Sequence, residues 1–209
     1  LVVSADYTFV TAEAADIALG LVAAYAFDEG TGYVSEDLSG NGNTASLNSA
    51  GWTSGKYGNA VSLNGINGYL SAGTAGLPAV NEPKTVSFWI NVTKKSTSPK
   101  TILALANPAL EASLKHSYKS LQTGVMDSDN KWSVVGKLPS LNKWHHFAYV
   151  FDGSDLYLPM QQDDLSRLYR LGSGGGTYLE TFLGWGWASH PILAGEMLYL
   201  PMSNIASGN

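Results

Sequence analysis

The chain of 209 residues contains no cysteine. That excludes disulfides, thiolate zinc sites and cysteine nucleophiles together, and it leaves secretion open. Charge is scarce as well, at 14% of residues, with 12 basic against 17 acidic and a net charge of −5. Such a balance makes no electrostatic case for nucleic acid or an anionic membrane surface. The densest basic run, Lys94-Lys95 with Lys100, reads as a solvated loop. No apolar run reaches the roughly 18 residues that a spanning helix needs. No signal-peptide pattern is visible and the first residue is Leu1, so a mature or excised piece of a longer product is expected. There is no G-x-S-x-G elbow, P-loop or H-E-x-x-H motif.

What is present favours strands and tight turns. Gly is high at 23 residues, with 11 Tyr and 6 Trp. The length suits one β-sandwich, or one with a small extension. Gly20 to Gly73 is the most informative stretch. Leu21 to Phe27 alternates apolar residues on both parities and predicts a strand buried on both faces. Asp28 to Gly32 ends it as a turn. Asp37-Leu38-Ser39-Gly40-Asn41-Gly42-Asn43 is a dense turn cluster. Ala60 to Leu63 and Gly68 to Ala72 predict strands, separated by the hairpin-type dipeptides Asn64-Gly65 and Asn67-Gly68.

Further along, Thr85 to Val92 alternates, with Val86, Phe88 and Ile90 on one face. Thr101 to Ala106, Gly124 to Met126, Lys131 to Val135 and Lys143 to Phe151 predict strands, and Asp155 to Leu158 a hairpin partner for the last of these. Asn107 to Ser120 reads either as a short helix or as a strand with a loop. Pro159 to Gly176 is polar, then Gly-rich, and predicts an irregular insertion. Tyr178 to Trp187 and Gly195 to Leu200 read as the last strands. Before all of this, residues 1–19 read as a leading strand, Tyr7 to Val10, and a linker. Turn signals recur about every 8 to 12 residues, as sandwiches require.

Five signatures then carry a resemblance. They are GLVAAYAFDEGTG at Gly20 to Gly32, DLSGNGN at Asp37 to Asn43, GKYGNAVSLNGINGYLSAG at Gly55 to Gly73, TVSFWINV at Thr85 to Val92, and KWHHFAYVFDGSDLYL at Lys143 to Leu158. In this order they resemble the concanavalin A-like, laminin-G-like jelly-roll domains of the lectin/glucanase superfamily, found beside bacterial enzymes and adhesins. The resemblance implies an all-β, two-sheet antiparallel jelly-roll sandwich spanning residues 20–209. It also implies one structural calcium near the DLSGNGN loop, with Glu29, Asp37, Asn41 and Asn43 supplying oxygens. A calcium ion takes roughly six to eight of them. Leu198 and Tyr199 stand where the family often has an acidic pair, so one expected ligand is lost. The alternative for Asp37 and the asparagines is that they cap turns through the backbone.

Sugars stack their C–H faces on flat rings and take amide and hydroxyl partners in a preformed cleft. Trp185, Trp187 and His190 lie in one Gly-flanked segment, with Tyr178 nearby in sequence. Positions 185 and 187 share a face if the segment is a strand. Ligand contact and core packing both remain open for this pair. Trp52, Trp89 and Trp144 fall in the structural signatures and are expected in the core. His145-His146 point to opposite faces of a strand and cannot act on one atom.

Retaining glycosidases need two carboxylates about 5–5.5 Å apart. In laminarinase-like jelly rolls these come as E-x-D-x-x-E on one strand, and no such pattern occurs here. The resemblance therefore implies a non-catalytic, lectin-like carbohydrate-binding module of a secreted or cell-surface protein. It would bind a polysaccharide or glycan beside neighbouring domains of a longer chain, with neither nucleic acid nor membrane as partner. The alternatives are a structural or adhesive protein-interaction domain, and a divergent polysaccharide lyase or glycoside hydrolase relying on Arg167 and Arg170.

Overall fold

The computed structural model describes residues 2–4, 20–79, 82–96, 100–105, 112–116, 121–125, 133–134, 140–152, 156–162, 165–172, 175–183, 185–187, 192–194, 197–199 and 202–204. All regular elements among them are strands, and every described pairing is antiparallel. The all-β expectation holds. The chain divides into two compact units, Leu1–Leu77 with Phe88–Thr93, and Pro78–Ser87 with Lys94–Asn209.

The first unit contains β1 (Val2–Ser4), β2 (Val34–Ser35), β3 (Ala45–Asn48), β4 (Ala50–Ser54), β5 (Asn59–Leu63), β6 (Tyr69–Ala72) and the C-terminal half of β7 (Lys84–Asn91). β1 lies between β5 and β7, pairing Val3 with Val61 and with Ile90. β4 and β5 form a hairpin closed by Gly55 N–H donating to Gly58 O at 2.9 Å. β2, β3 and β6 form a separate three-stranded sheet. β3 shows clean period-two alternation, with Ala45 and Leu47 buried and Ser46 exposed. Leu47 from this sheet meets Val61 from β5 and Phe27, with Tyr25, Trp52, Leu63 and Leu70 packed around them. Apolar side chains of the two sheets thus bury one another, which is what drives a sandwich to form.

The second unit holds two meanders. β8 (Lys100–Leu105), β9 (Ala112–His116), β10 (Leu121–Val125) and β11 (Ser133–Val134) pair in sequence. So do β12 (Trp144–Phe151), β13 (Leu156–Gln162), β14 (Leu165–Gly172) and β15 (Gly175–Leu183). Two short ribbons follow. β16 (Trp185–Trp187) pairs with β19 (Met202–Asn204), and β17 (Ile192–Ala194) with β18 (Met197–Tyr199). In β12, consecutive residues His145, His146, Phe147 and Ala148 are all buried, so this strand is covered on both faces.

Three expectations are corrected. Leu21 to Phe27 is not a ladder strand; it is extended chain whose backbone groups bond to side chains and to a turn. Nor is it buried throughout, since only Ala24 and Phe27 fall in the core and Leu21 is 39% exposed. Pro159 to Gly176 is no irregular insertion. It completes β13, forms all of β14 and opens β15, with Gly172 opposite Gly175 at the hairpin end. Gln161, Gln162, Arg167 and Arg170 gave that stretch little apolar alternation, whereas backbone pairing needs none. The ambiguous Asn107 to Ser120 contains a strand at Ala112–His116. The expected strand at Tyr7 to Val10 lies outside the described residues.

Candidate functional site

The loop from Asp37 to Asn43 is a hydrogen-bonded hub. Asp37 Oδ1 accepts from the N–H groups of Ala24 and Ser39, each at 2.9 Å. Its Oδ2 accepts from Asn43 N–H at 2.9 Å. Ser39 Oγ lies 2.8 Å from Oδ2 and 3.0 Å from Val22 O, and shares its one hydrogen between them. Asn41 Nδ2 donates to Leu21 O at 2.8 Å and Val22 O at 3.1 Å. Asn43, 1% exposed, does what a neighbouring strand would do. Its amide accepts from Ala75 N–H at 2.8 Å and donates to Ala75 O at 2.9 Å and Val22 O at 3.0 Å. Leu38 N–H donates to Ala24 O at 2.8 Å, and Tyr25 Oη donates to Asn43 O. Backbone groups without a ladder are thereby satisfied by loop side chains.

The electrostatics follow from these bonds. Burial alone would raise the Asp37 carboxyl. The Ser39 hydroxyl and the N–H groups of Ala24, Ser39 and Asn43 outweigh it, lowering the carboxyl from 3.8 to about 2. Burial first, and the Asp37 charge second, push the Tyr25 phenol above 10.0.

Phe27 closes the segment with a φ of 58°, unusual for a bulky residue. Its buried ring stacks on Tyr25 at 5.8 Å and packs against Leu47 and Val61, contacts that hold the backbone there. The chain then reverses so that Asp28 Oδ1 accepts from Asn59 N–H at 2.9 Å. Gly58 lies against that carboxylate with φ +53°, where a Cβ would stand 2.1 Å from Asp28 Oδ1. Asp28 of the first signature and Gly58-Asn59 of the third are therefore two sides of one junction.

Of the four residues expected around calcium, Asp37, Asn41 and Asn43 all belong to the hub. Glu29 stands apart from it, its Oε1 accepting from Ser35 Oγ at 3.0 Å and Glu36 N–H at 2.9 Å. A cation bound by Asp37 and Asn43 would have to take oxygens that now accept N–H hydrogens. Among the described residues, no group of three or more acidic or histidine side chains is placed to hold a metal. The turn-capping alternative describes the bonds between Asp37 and Ser39, whereas the Asn43 side chain bridges the distant backbone of Val22 and Ala75.

Among the aromatic candidates, Trp185 and Trp187 fall in β16, opposite Asn204 and Met202. They share a face of that strand by its period of two. Tyr178 lies in β15 opposite Tyr169. The side chains of these three residues, and His190 altogether, lie outside the described residues. Trp52 packs on the first unit's core and donates Nε1–H to Gly32 O at 2.9 Å. Trp89 meets Tyr57 edge-on at 6.1 Å, with Lys56 Nζ 5.2 Å from the Trp89 ring. His145 and His146 are both buried, as a structural strand requires. His145 Nε2 lies 3.1 Å from Ser140 O and 3.2 Å from Ser140 Oγ.

Residues 64–159 match a family model described as the concanavalin A-like lectin/glucanases superfamily. Among solved structures, the chain is similar to domain 4 of AbnA, a GH43 extracellular arabinanase from Geobacillus stearothermophilus solved in complex with arabinotriose. The identity is 23%, the TM-score 0.51, and the match covers 67% of this chain and 70% of that one. It is also similar to an S-layer domain-containing protein from Clostridium thermocellum, at 22% identity and TM-score 0.45, over 66% of this chain and 67% of that one. No curated protein sequence matches the chain.

Proposed function

We propose that this chain, a member over residues 64–159 of the concanavalin A-like lectin/glucanases superfamily, is a non-catalytic carbohydrate-binding module of an extracellular or cell-surface protein. One observation carries the reading. The arabinanase domain that shares this fold over 67% of the chain was solved with arabinotriose bound, and it comes from an extracellular enzyme. The fold alone does not dictate a ligand. Residue chemistry adds the rest, because Trp185 and Trp187 are two rings at strand spacing, separated by Gly186, with His190 and Tyr178 close in sequence.

We assign sugar contact to Trp185, Trp187, His190 and Tyr178. The rings supply a stacking platform for C–H faces; the imidazole and phenol supply hydrogen bonds that orient the sugar hydroxyls. No bond is made or broken. The module holds its polymer and raises the local concentration of whatever the neighbouring domains act upon.

Binding of the full chain to a broad glycan and polysaccharide array, run with calcium and again with chelator, tests this. Retention of at least one neutral polymer is expected, and Trp185→Ala or Trp187→Ala should reduce it without lowering the melting temperature. A hit lost in chelator would return calcium to the site. Silence on every glycan would sink the proposal in favour of an adhesive or structural domain.

A further inference from the structure

We infer that the solvent face of the sheet β2-β3-β6 in the first unit is a second saccharide-contact surface, suited to a neutral polymer. The inference rests on the carbohydrate-binding reading but concerns a separate set of residues. The register and the period of two put them on one face. Val34 pairs with Ser46, Ser46 with Ser71, and Asn48 with Tyr69. The opposite parity, Ser35, Ala45 and Leu47, is buried. Glu36 and Thr44 extend the outward parity by two residues, and Thr44 Oγ1 donates to Glu36 Oε2 at 3.2 Å.

The outward row is therefore Tyr69 and Asn48, then Ser71, Ser46 and Val34, then Thr44 and Glu36. Tyr69 is 56% exposed and Val34 45%. Ser46, Ser71 and Glu36 are exposed, while Thr44 and Asn48 are half-buried. From the Asn48 level to the Thr44 level the strand rises about 13 Å. That length suits several consecutive sugar rings.

Each group has a partner on a sugar. The exposed Tyr69 ring offers a flat apolar surface for C–H stacking. Asn48 Nδ2 donates to Ser46 O at 3.2 Å, which steadies its amide and leaves Oδ1 turned to accept. The Ser46, Ser71 and Thr44 hydroxyls both donate and accept. The Glu36 carboxylate accepts from sugar hydroxyls, and its backbone is pinned by Glu36 N–H donating to Glu29 Oε1 at 2.9 Å.

Charge decides the class of saccharide. The row carries one carboxylate and neither Lys nor Arg, on a chain of net charge −5. A uronate polymer would meet repulsion without a compensating cation, whereas a neutral one would not. Composition argues against a protein partner. A stable protein interface has an apolar, aromatic-rich centre with a polar rim. Here one ring and one valine stand among hydroxyls, an amide and a carboxylate.

Affinity electrophoresis of the full chain tests the inference, with arabinan, xylan, galactomannan and β-glucan in separate gels and polygalacturonate as the anionic comparison. Retardation by at least one neutral polymer is expected, and none by polygalacturonate. Tyr69→Ala should weaken the neutral interaction about tenfold, the loss of one anchoring contact. Tyr69→Phe, which keeps the ring, should stay within about threefold. Ser46→Glu, at an exposed position, adds charge and bulk to the middle of the row and should weaken binding as much as Tyr69→Ala. It guards against a Tyr69→Ala variant that fails to fold. Wild-type retardation unchanged in Tyr69→Ala and Ser46→Glu overturns this inference. If Trp185→Ala abolishes it at the same time, the carbohydrate-binding reading survives alone. Preferential retardation by polygalacturonate overturns the neutral class. A wild-type chain retarded by nothing overturns both.

Discussion

Replacing Asp37 by Asn tests whether the Asp37–Asn43 loop is held by the chain's own donors. The new amide keeps one oxygen to accept from Ala24 and Ser39 N–H, now without charge assistance. Its NH2 group takes the place of Oδ2, facing Asn43 N–H. Ser39 can turn its hydrogen to Val22 O and accept instead, so it adapts. Asn43 N–H cannot adapt, and an orphaned buried donor costs about 1–3 kcal/mol. Weakening the two surviving bonds adds about 1 kcal/mol. The expected loss is therefore about 3 kcal/mol. For a chain of this size it corresponds to a melting temperature lower by roughly 6–12 °C. Calorimetry on wild type and Asp37→Asn, each with added calcium and with chelator, reads it directly. The wild type should melt at the same temperature in both. An Asp37→Asn variant within about 2 °C of wild type would refute the hub. A wild type stabilised by calcium, with the response lost in Asp37→Asn, would make the loop a metal site.

The same carboxylate sets an acid limit. Because its folded value is depressed from 3.8 to about 2, its stabilisation is present above 3.8 and is lost as pH falls through about 2. Allowing for partial solvent screening it amounts to about 1 kcal/mol, and urea midpoints measured between pH 5 and pH 2 should fall less steeply in Asp37→Asn than in wild type. Gly58→Ala combines a left-handed φ with a Cβ 2.1 Å from Asp28 Oδ1, so it should destabilise by about 2–4 kcal/mol. A thermal melt of Gly58→Ala indistinguishable from wild type would contradict the Asp28–Asn59 junction.

Local pattern and tertiary context divide this molecule plainly. The strands at Ala60 to Leu63, Thr85 to Val92 and Lys143 to Phe151 were legible because alternation or continuous apolar runs, bounded by turn residues, are local signals. The sequence also singled out Asp37, Asn41 and Asn43 as one cluster, and the family resemblance followed from their order with the other signatures. What the cluster does was not legible. Its partners are the backbone groups of Leu21, Val22 and Ala24, up to 21 residues away, and of Ala75, 32 residues from Asn43. For the same reason Leu21 to Phe27 looked like a strand: apolar composition marks a segment that needs partners without saying whether they are strands or side chains. The start of β13 and most of β15 were legible, but β14 between them was missed because backbone pairing leaves no mark on polar residues. Nor could the sequence tell Tyr25 from Tyr69. Both sit in apolar stretches, yet one donates within the hub and the other stands on an exposed face. Composition and spacing determined that this chain makes strands joined by tight turns, and the family resemblance implied that they pair into antiparallel sheets. Long-range pairing and register alone decided which faces those sheets bury and which they present to a ligand.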